Sequence, residues 1–198
     1  MNLKETYNQI AEDWHRNHQK DDWWVEGTDK FISFLQKGDL AFDVGCGAGT
    51  KSKYLIKKGL RVIGVDFSEK MIEIAKREIP NGNFFVFDLS EIDKLDYLFD
   101  GIFMQAVLLH IPKREVKDKL EKVITKLKTG GYIYIAVKEK KSQGVEEEIK
   151  IENDYGYQYE RFFSYFTVDE IKLHLQNLGI KIVFSEIKSP WIQIIGRK

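Results

Sequence analysis

Residues Leu40–Thr50 read LAFDVGCGAGT. An apolar run, Leu40–Phe42, leads into Asp43 and Val44, and then Gly45, Gly47 and Gly49 alternate with other residues. Thr50 follows, and Lys51–Lys58 predicts a helix ended by Gly59. The order is strand, glycine turn, helix. Glycine lacks a Cβ, so such a turn can take positive φ and let the backbone lie against a ligand. The helix start adds free N–H groups and a positive dipole end, which suit an anionic or strongly polar group. A nicotinamide fingerprint, G-x-G-x-x-G, is not matched. Its third glycine comes one residue early, at Gly49, and Thr50 stands where it wants glycine. A phosphate-cradling loop ends Gly-Lys-Ser/Thr, which Gly49-Thr50-Lys51 does not. Asp43 puts a carboxylate at the strand end. A carboxylate is a poor neighbour for pyrophosphate and a good one for an ammonium.

Downstream, Leu60–Val65 is an apolar strand ending at Asp66, 21 positions after Gly45. In dinucleotide folds an acidic residue about there bonds ribose hydroxyls. Ser68 is a plausible N-cap for a helix carrying Met71, Ile72, Ala75 and Ile79 and stopped by Pro80. Phe84–Phe87 is a third strand ending in Asp88–Leu89, and Phe99–Gln105 a fourth, followed by Ala106 and by His110-Ile111-Pro112. Three strands thus end in carboxylates: Asp43, Asp66 and Asp88. Aspartates also cap helices at such turns. Three in this register beside a glycine turn favour a binding role.

The stretch resembles motif I, D/E-x-G-x-G-x-G, of the class I S-adenosylmethionine-dependent methyltransferases. The resemblance implies that Asp43 serves the cofactor's amino group and that Gly45, Cys46 and Gly47 pass beneath it. It implies Asp66 on the ribose, Phe67 and Leu89 flanking adenine with Met71 beside them, and Asp88 on the exocyclic amine. Gln105 and Ala106 would lie near the methionine part. The string YNQIAEDW is similar to the Y-x-x-I/A-A-x-x-Y/W opening of small-molecule members, so Tyr7 and Trp14 would lid the site. An L-L/H-H-I-P string is frequent in this family without a catalytic histidine. His110 and Arg161 are therefore weak catalytic candidates, and the catalytic residues stay open. Lys128–Gly131 matches a K-x-G-G pattern before the fifth strand, Tyr132–Val137. The implied fold is a Rossmann-like α/β/α three-layer sandwich. Its seven-stranded, mostly parallel sheet would have order 3-2-1-4-5-7-6 with strand 7 antiparallel.

The remainder fits one domain over residues 1–198. Residues 3–18 predict an amphipathic helix through Leu3, Tyr7, Ile10, Ala11 and Trp14. A second helix is predicted at about Asp29–Gln36, and residues 1–37 would form a helical lid. Of the adjacent Trp23 and Trp24, one should face a binding surface, since both cannot face one core. Lys113–Lys128 predicts a helix opened by Pro112. Residues 138–166 read as a charged, flexible stretch followed by an aromatic insert, Tyr155–Phe166, a possible substrate lid. Phe163 and Phe166 would cover the sheet. Thr167 with Glu170 is a capping box for a last helix. Lys181–Lys188 and Trp191–Lys198 are two closing strands.

With 31 basic and 31 acidic residues, net charge gives no argument for nucleic acid or acidic membranes. Residues 102–111 are too short an apolar stretch to span a bilayer, and MNLKETYNQIAEDW has no signal-peptide core. One cysteine excludes an internal disulfide and a cysteine-based metal cluster. The expectation is a soluble, cytoplasmic monomer or homodimer. It would use S-adenosyl-L-methionine, release S-adenosyl-L-homocysteine and methylate a small-molecule acceptor, with no nucleic-acid or membrane partner. The alternatives are a cofactor-binding, non-catalytic regulatory or partner subunit and, more distantly, a nicotinamide oxidoreductase.

Overall fold

The structure, a computed structural model, describes residues 2–198. Each apolar run forms a strand and each amphipathic run a helix. The order is α1 (Leu3–His18), α2 (Val25–Ile32), β1 (Leu40–Val44), α3 (Thr50–Lys57), β2 (Arg61–Asp66), α4 (Glu69–Glu78), β3 (Asn83–Val86) and β4 (Phe99–Gln105). There follow α5 (Lys113–Thr125), β5 (Leu127–Lys138), β6 (Glu147–Glu152), β7 (Tyr159–Ser164), α6 (Val168–Asn177), β8 (Lys181–Lys188) and β9 (Trp191–Arg197). The central sheet runs β3-β2-β1-β4-β5-β9-β8. The first five strands are parallel, and β9 is antiparallel to both β5 and β8. Allowing for the separate β6–β7 hairpin, this is the seven-strand order that the family resemblance implies.

Strands buried on both faces read as continuous apolar runs rather than alternating ones. One face presents Phe42, Val44, Ile102, Ile133 and Ile135 to Val116 and Leu120 of α5 and Ile171 and Leu175 of α6. The other presents Ala41, Phe103 and Tyr134 to Phe31 of α2 and Leu55 of α3. Helix α4 sets Ile72 and Ala75 on Phe84. Helix α1 docks on α4 through polar ties: Asn8 Oδ1 accepts from Ser68 Oγ at 2.7 Å, and Arg77 forks onto Glu12 at 2.7 and 3.0 Å. No helix among the described residues is long and apolar enough to cross a membrane.

Four expectations need correction. Helix α2 starts at Val25 rather than Asp29 and ends at Ile32. Trp24 is buried, donates from Nε1 to Asp21 O at 2.7 Å, and receives Thr28 Oγ–H on its carbonyl at 2.9 Å, which anchors the earlier start. Helix α5 ends at Thr125, because Leu127 already pairs with Phe99 and opens a longer β5. The third strand is displaced by one residue, to Asn83–Val86. The largest change is in residues 138–166, which contain the β6–β7 hairpin. Along β6 the pattern is inverted: Ile149 and Ile151 are 56% and 67% exposed, while Glu148, Lys150 and Glu152 face β7 side chains. Phe163 and Phe166 are buried, as expected.

Candidate active site

The parallel strands end along one edge, where ligands of open α/β sheets bind. A cavity of about 1050 Å³ lies there. Its floor is the turn after β1, where Gly45, Gly47 and Gly49 have φ of +69°, +53° and +83°. Gly47 N–H donates to Asp66 Oδ2 at 3.0 Å, and Ser68 N–H donates to Oδ1 at 2.9 Å. The Asp66 carboxylate therefore holds both the glycine turn and the start of α4. Asp43 receives Ser52 Oγ–H on Oδ2 at 2.6 Å. Burial pushes the Asp43 carboxyl up to about 7 and the Asp66 carboxyl up to about 6. Both face the cavity with capacity left for a donor or a cation. Cys46 also lines it, and burial with the two aspartates raises its thiol far above the usual range, which suits packing rather than nucleophilic attack.

Phe67, Met71, Asp88 and Leu89 line this cavity. The ring of Tyr7 meets Phe67 edge-on at 5.8 Å. Asp88 caps the short 3-10 turn Leu89–Lys94, accepting from Ser90 N–H at 2.7 Å, so its capping reading is realised while it stays on the rim.

Tyr7, Trp14, Gln105, Ala106, His110 and Arg161 line the cavity too. His110 Nδ1 lies 2.8 Å from Phe162 O, and a carbonyl only accepts. Nδ1 thus carries the proton and Nε2 accepts from Tyr7 Oη–H at 2.7 Å. Burial holds the imidazole neutral, pulling it down to about 3. Arg161 forks onto Glu152 with two 2.6 Å bonds and reaches Tyr7 Oη at 3.4 Å. Helix α1, the β4–α5 connection and the hairpin are thereby joined through one tyrosine. Trp23 is 42% exposed and stacks on Trp191 at 4.4 Å, lining the cavity, while Trp24 is 4% exposed.

The sequence reading did not single out Lys51, Lys138, Trp191 or Gln193 for this cavity, which they also line. Lys51 Nζ lies 5.6 Å from the ring centres of both Trp14 and Trp24, and burial lowers its pKa. Nothing in its local sequence separates it from a surface lysine. Gln193 did carry a signal: a lone amide within the apolar strand WIQII.

A methyltransferase-domain family model matches residues 41–131. A ubiquinone biosynthesis O-methyltransferase from Coxiella burnetii is 33% identical over 104 residues, covering 50% of this chain and 44% of that protein. The tRNA (carboxymethyluridine(34)-5-O)-methyltransferase of Saccharomyces cerevisiae is 31% identical over 135 residues, covering 67% of this chain and 46% of that protein. The chain spans less than half the length of these two relatives. Among solved structures, Burkholderia thailandensis 1,6-didemethyltoxoflavin-N1-methyltransferase, with its acceptor and S-adenosylhomocysteine bound, shares the fold. Its TM-score is 0.75 at 19% identity, covering 99% of this chain and 87% of that one. Residues 41–131, which carry the glycine turn and the strands on either side of it, are thus similar to a methyltransferase domain.

Proposed function

We propose that this protein transfers a methyl group from S-adenosylmethionine to a small-molecule acceptor. The observation that carries the reading is the pair of buried carboxylates, Asp43 and Asp66, set beside a turn whose glycines, Gly45 and Gly47, bring bare backbone to the cavity. Asp43 accepts from the Ser52 hydroxyl on Oδ2. A buried carboxylate so placed fits an ammonium better than a phosphate. Asp66 fits a pair of hydroxyls, and Phe67, Met71 and Leu89 fit a flat base with Asp88 at its edge. The bound cofactor supplies an electrophilic methyl on a sulfonium that is itself the leaving group.

The chain's own task is then to position two partners in line and to keep water out. Aromatic faces near a sulfonium add cation–π attraction of about 0.5–2 kcal/mol, and Tyr7 and Trp14 stand where they could supply it. We assign His110 and Arg161 to positioning. One accepts the Tyr7 proton and the other donates toward Tyr7 Oη, so together they fix the ring over the cavity. The 1050 Å³ cavity suits a compact organic acceptor beside the cofactor.

Calorimetry with S-adenosylhomocysteine tests the cofactor assignment, with a micromolar Kd expected and NADH inert. Transfer of labelled methyl to a panel of metabolites tests the reaction. Binding of NADH without S-adenosylhomocysteine would overturn the reading.

A further inference from the structure

Across three strands of the sheet, Gln105 on β4 is in register with Ala136 on β5, and Ala136 with Gln193 on β9. Residues paired in a ladder point to the same face. Two amides therefore straddle one methyl group at a single level. With neighbouring strands about 4.8 Å apart, the two glutamine Cα atoms are about 10 Å apart, with the buried Ala136 between them.

Both glutamines line the cavity, at 7% and 2% exposure. Gln105 Oε1 and Nε2 and Gln193 Oε1 have no hydrogen-bond partner within the protein. Burying such groups unpartnered is destabilising, so their retention here needs a reason. The surroundings are shaped to keep Gln193. Gly27 lies inside α2, where glycine is unfavourable, and a Cβ there would fall 1.9 Å from Gln193 Oε1. One step below the amides, Phe103, Tyr134 and Ile195 form a layer that is apolar apart from the Tyr134 hydroxyl, which also lacks a partner among the described residues. One step above, Lys138 pairs with Trp191. Lys138 Nζ rests 4.5 Å over the Phe163 ring, and no carboxylate among the described residues lies within ion-pair distance of it. The wall is thus layered: apolar, amide, then cation beside indole.

We propose that Gln105 and Gln193 are the acceptor-recognition pair, holding a flat aromatic or heteroaromatic ring that has hydrogen-bonding groups on both flanks and an acidic substituent directed at Lys138. This rests on the methyl-transfer reading above. It reassigns the Gln105 side chain from the cofactor to the acceptor. The acid-bearing end points out of the sheet and the hydrogen-bonding end into it.

The test uses the full chain saturated with S-adenosylhomocysteine and 3,5-dihydroxybenzoate as probe, whose two hydroxyls flank one edge and whose carboxylate sits opposite. The controls are 3,5-dimethylbenzoate and 3,5-dihydroxybenzylamine. Wild-type protein should bind the probe at least tenfold more tightly than either control. Gln105→Leu and Gln193→Leu should each erase the preference over the dimethyl compound, and Lys138→Met the preference over the amine. S-Adenosylhomocysteine affinity should stay within threefold in all three variants. Without any ligand, each leucine variant should gain about 2–4 °C in Tm, because an unpartnered buried amide has been removed. The proposal is overturned if wild-type protein shows no preference or no binding of the probe, or if the leucine variants keep the preference. It also falls if they melt lower or lose cofactor affinity. Failure of wild-type protein to bind S-adenosylhomocysteine overturns the underlying reading as well, and so is told apart from failure of this one.

Discussion

Asp43 illustrates how a single buried group can couple ligand affinity to pH. Its carboxyl is pushed up to about 7 by burial, only partly countered by Ser52 and Lys51. A ligand ammonium needs the ionised form. Affinity for S-adenosylhomocysteine should therefore fall about tenfold per pH unit below 7 and level off above it. Asp43→Asn should bind weakly at every pH, with the slope between pH 6.5 and 8 flattened and only the Asp66 contribution left below it; calorimetry at pH 5.5, 6.5 and 8 reads both. Melting temperature is a poorer report, because the signs oppose. Asp43 and Asp66 are raised above their unfolded values, so the stability they contribute is lost as pH rises through about 6–7. His110 is lowered to about 3 from 6.5, so its contribution is lost as pH falls below 6.5. Gly47 gives a second prediction at this scale. Its φ is +53°, and the nearest atom to an added Cβ is Trp14 Cζ3 at 4.0 Å, so a side chain would project into the cavity. Gly47→Val should cost about 1–3 kcal/mol in backbone strain and abolish cofactor binding in a still folded protein. Normal binding by that variant would show that the turn does not meet the ligand. Two residues that local patterns singled out, Asp43 before the glycine turn and Asp66 at a strand end, do line the cavity. Lys51 was not, because what makes it unusual is two tryptophans brought from elsewhere in the chain.

The β6–β7 hairpin shows where element reading fails. A half-buried strand is recognised by apolar side chains facing inward. In EEIKIE the inward positions are Glu148, Lys150 and Glu152, and the isoleucines face solvent. The strand is held instead by paired polar contacts: Glu148 with Tyr165 at 2.6 Å and Glu152 with Arg161. Read by hydropathy, such a segment is a charged loop. The polar side should then carry its stability. Glu152 and Arg161 are 19% and 16% exposed at the side chain. Removing one partner strands the other charge in a largely desolvated place. Glu152→Ala should cost about 2–3 kcal/mol, whereas Ile151→Ala on the solvent side should stay within about 0.5 kcal/mol. Urea unfolding of the two variants compares them directly, and equal effects would show that the hairpin is held by apolar packing after all. The α2 boundary slipped for a related reason. Its start is set by burial of Trp24, and two adjacent tryptophans gave no local sign of which one turns inward.

At the scale of the whole molecule, the α/β layering was readable because apolar runs alternate with amphipathic helices, punctuated by glycine turns or caps, whereas the strand order came only with the family resemblance. How the accessory parts join that frame was not readable, since it depends on contacts over more than a hundred residues. Tyr7 of α1 meets His110 and Arg161, and Tyr157 Oη–H donates to Asp13 of α1 at 2.9 Å. These ties join α1 to the hairpin beside the cavity, and we propose that the two move together as one cover over it. A two-stranded sheet alone is marginally stable, and covers are drawn from the less stable parts of a fold. The central sheet, with β1, β4 and β5 buried on both faces, is the stable reference. A ligand touching Tyr7 and Trp14 above and the glycine turn below would bridge cover and frame. Hydrogen exchange should therefore show residues 3–18 and 147–164 exchanging at least tenfold faster than β4 and β5 in the free protein. S-Adenosylhomocysteine should slow both segments together and leave β4 and β5 unchanged. Slowing of α1 alone would break the single-cover account and leave the hairpin an independent flap. Equal protection of both segments with and without ligand would mean that these aromatics are fixed core, and that the cavity is entered by some route other than movement of this cover.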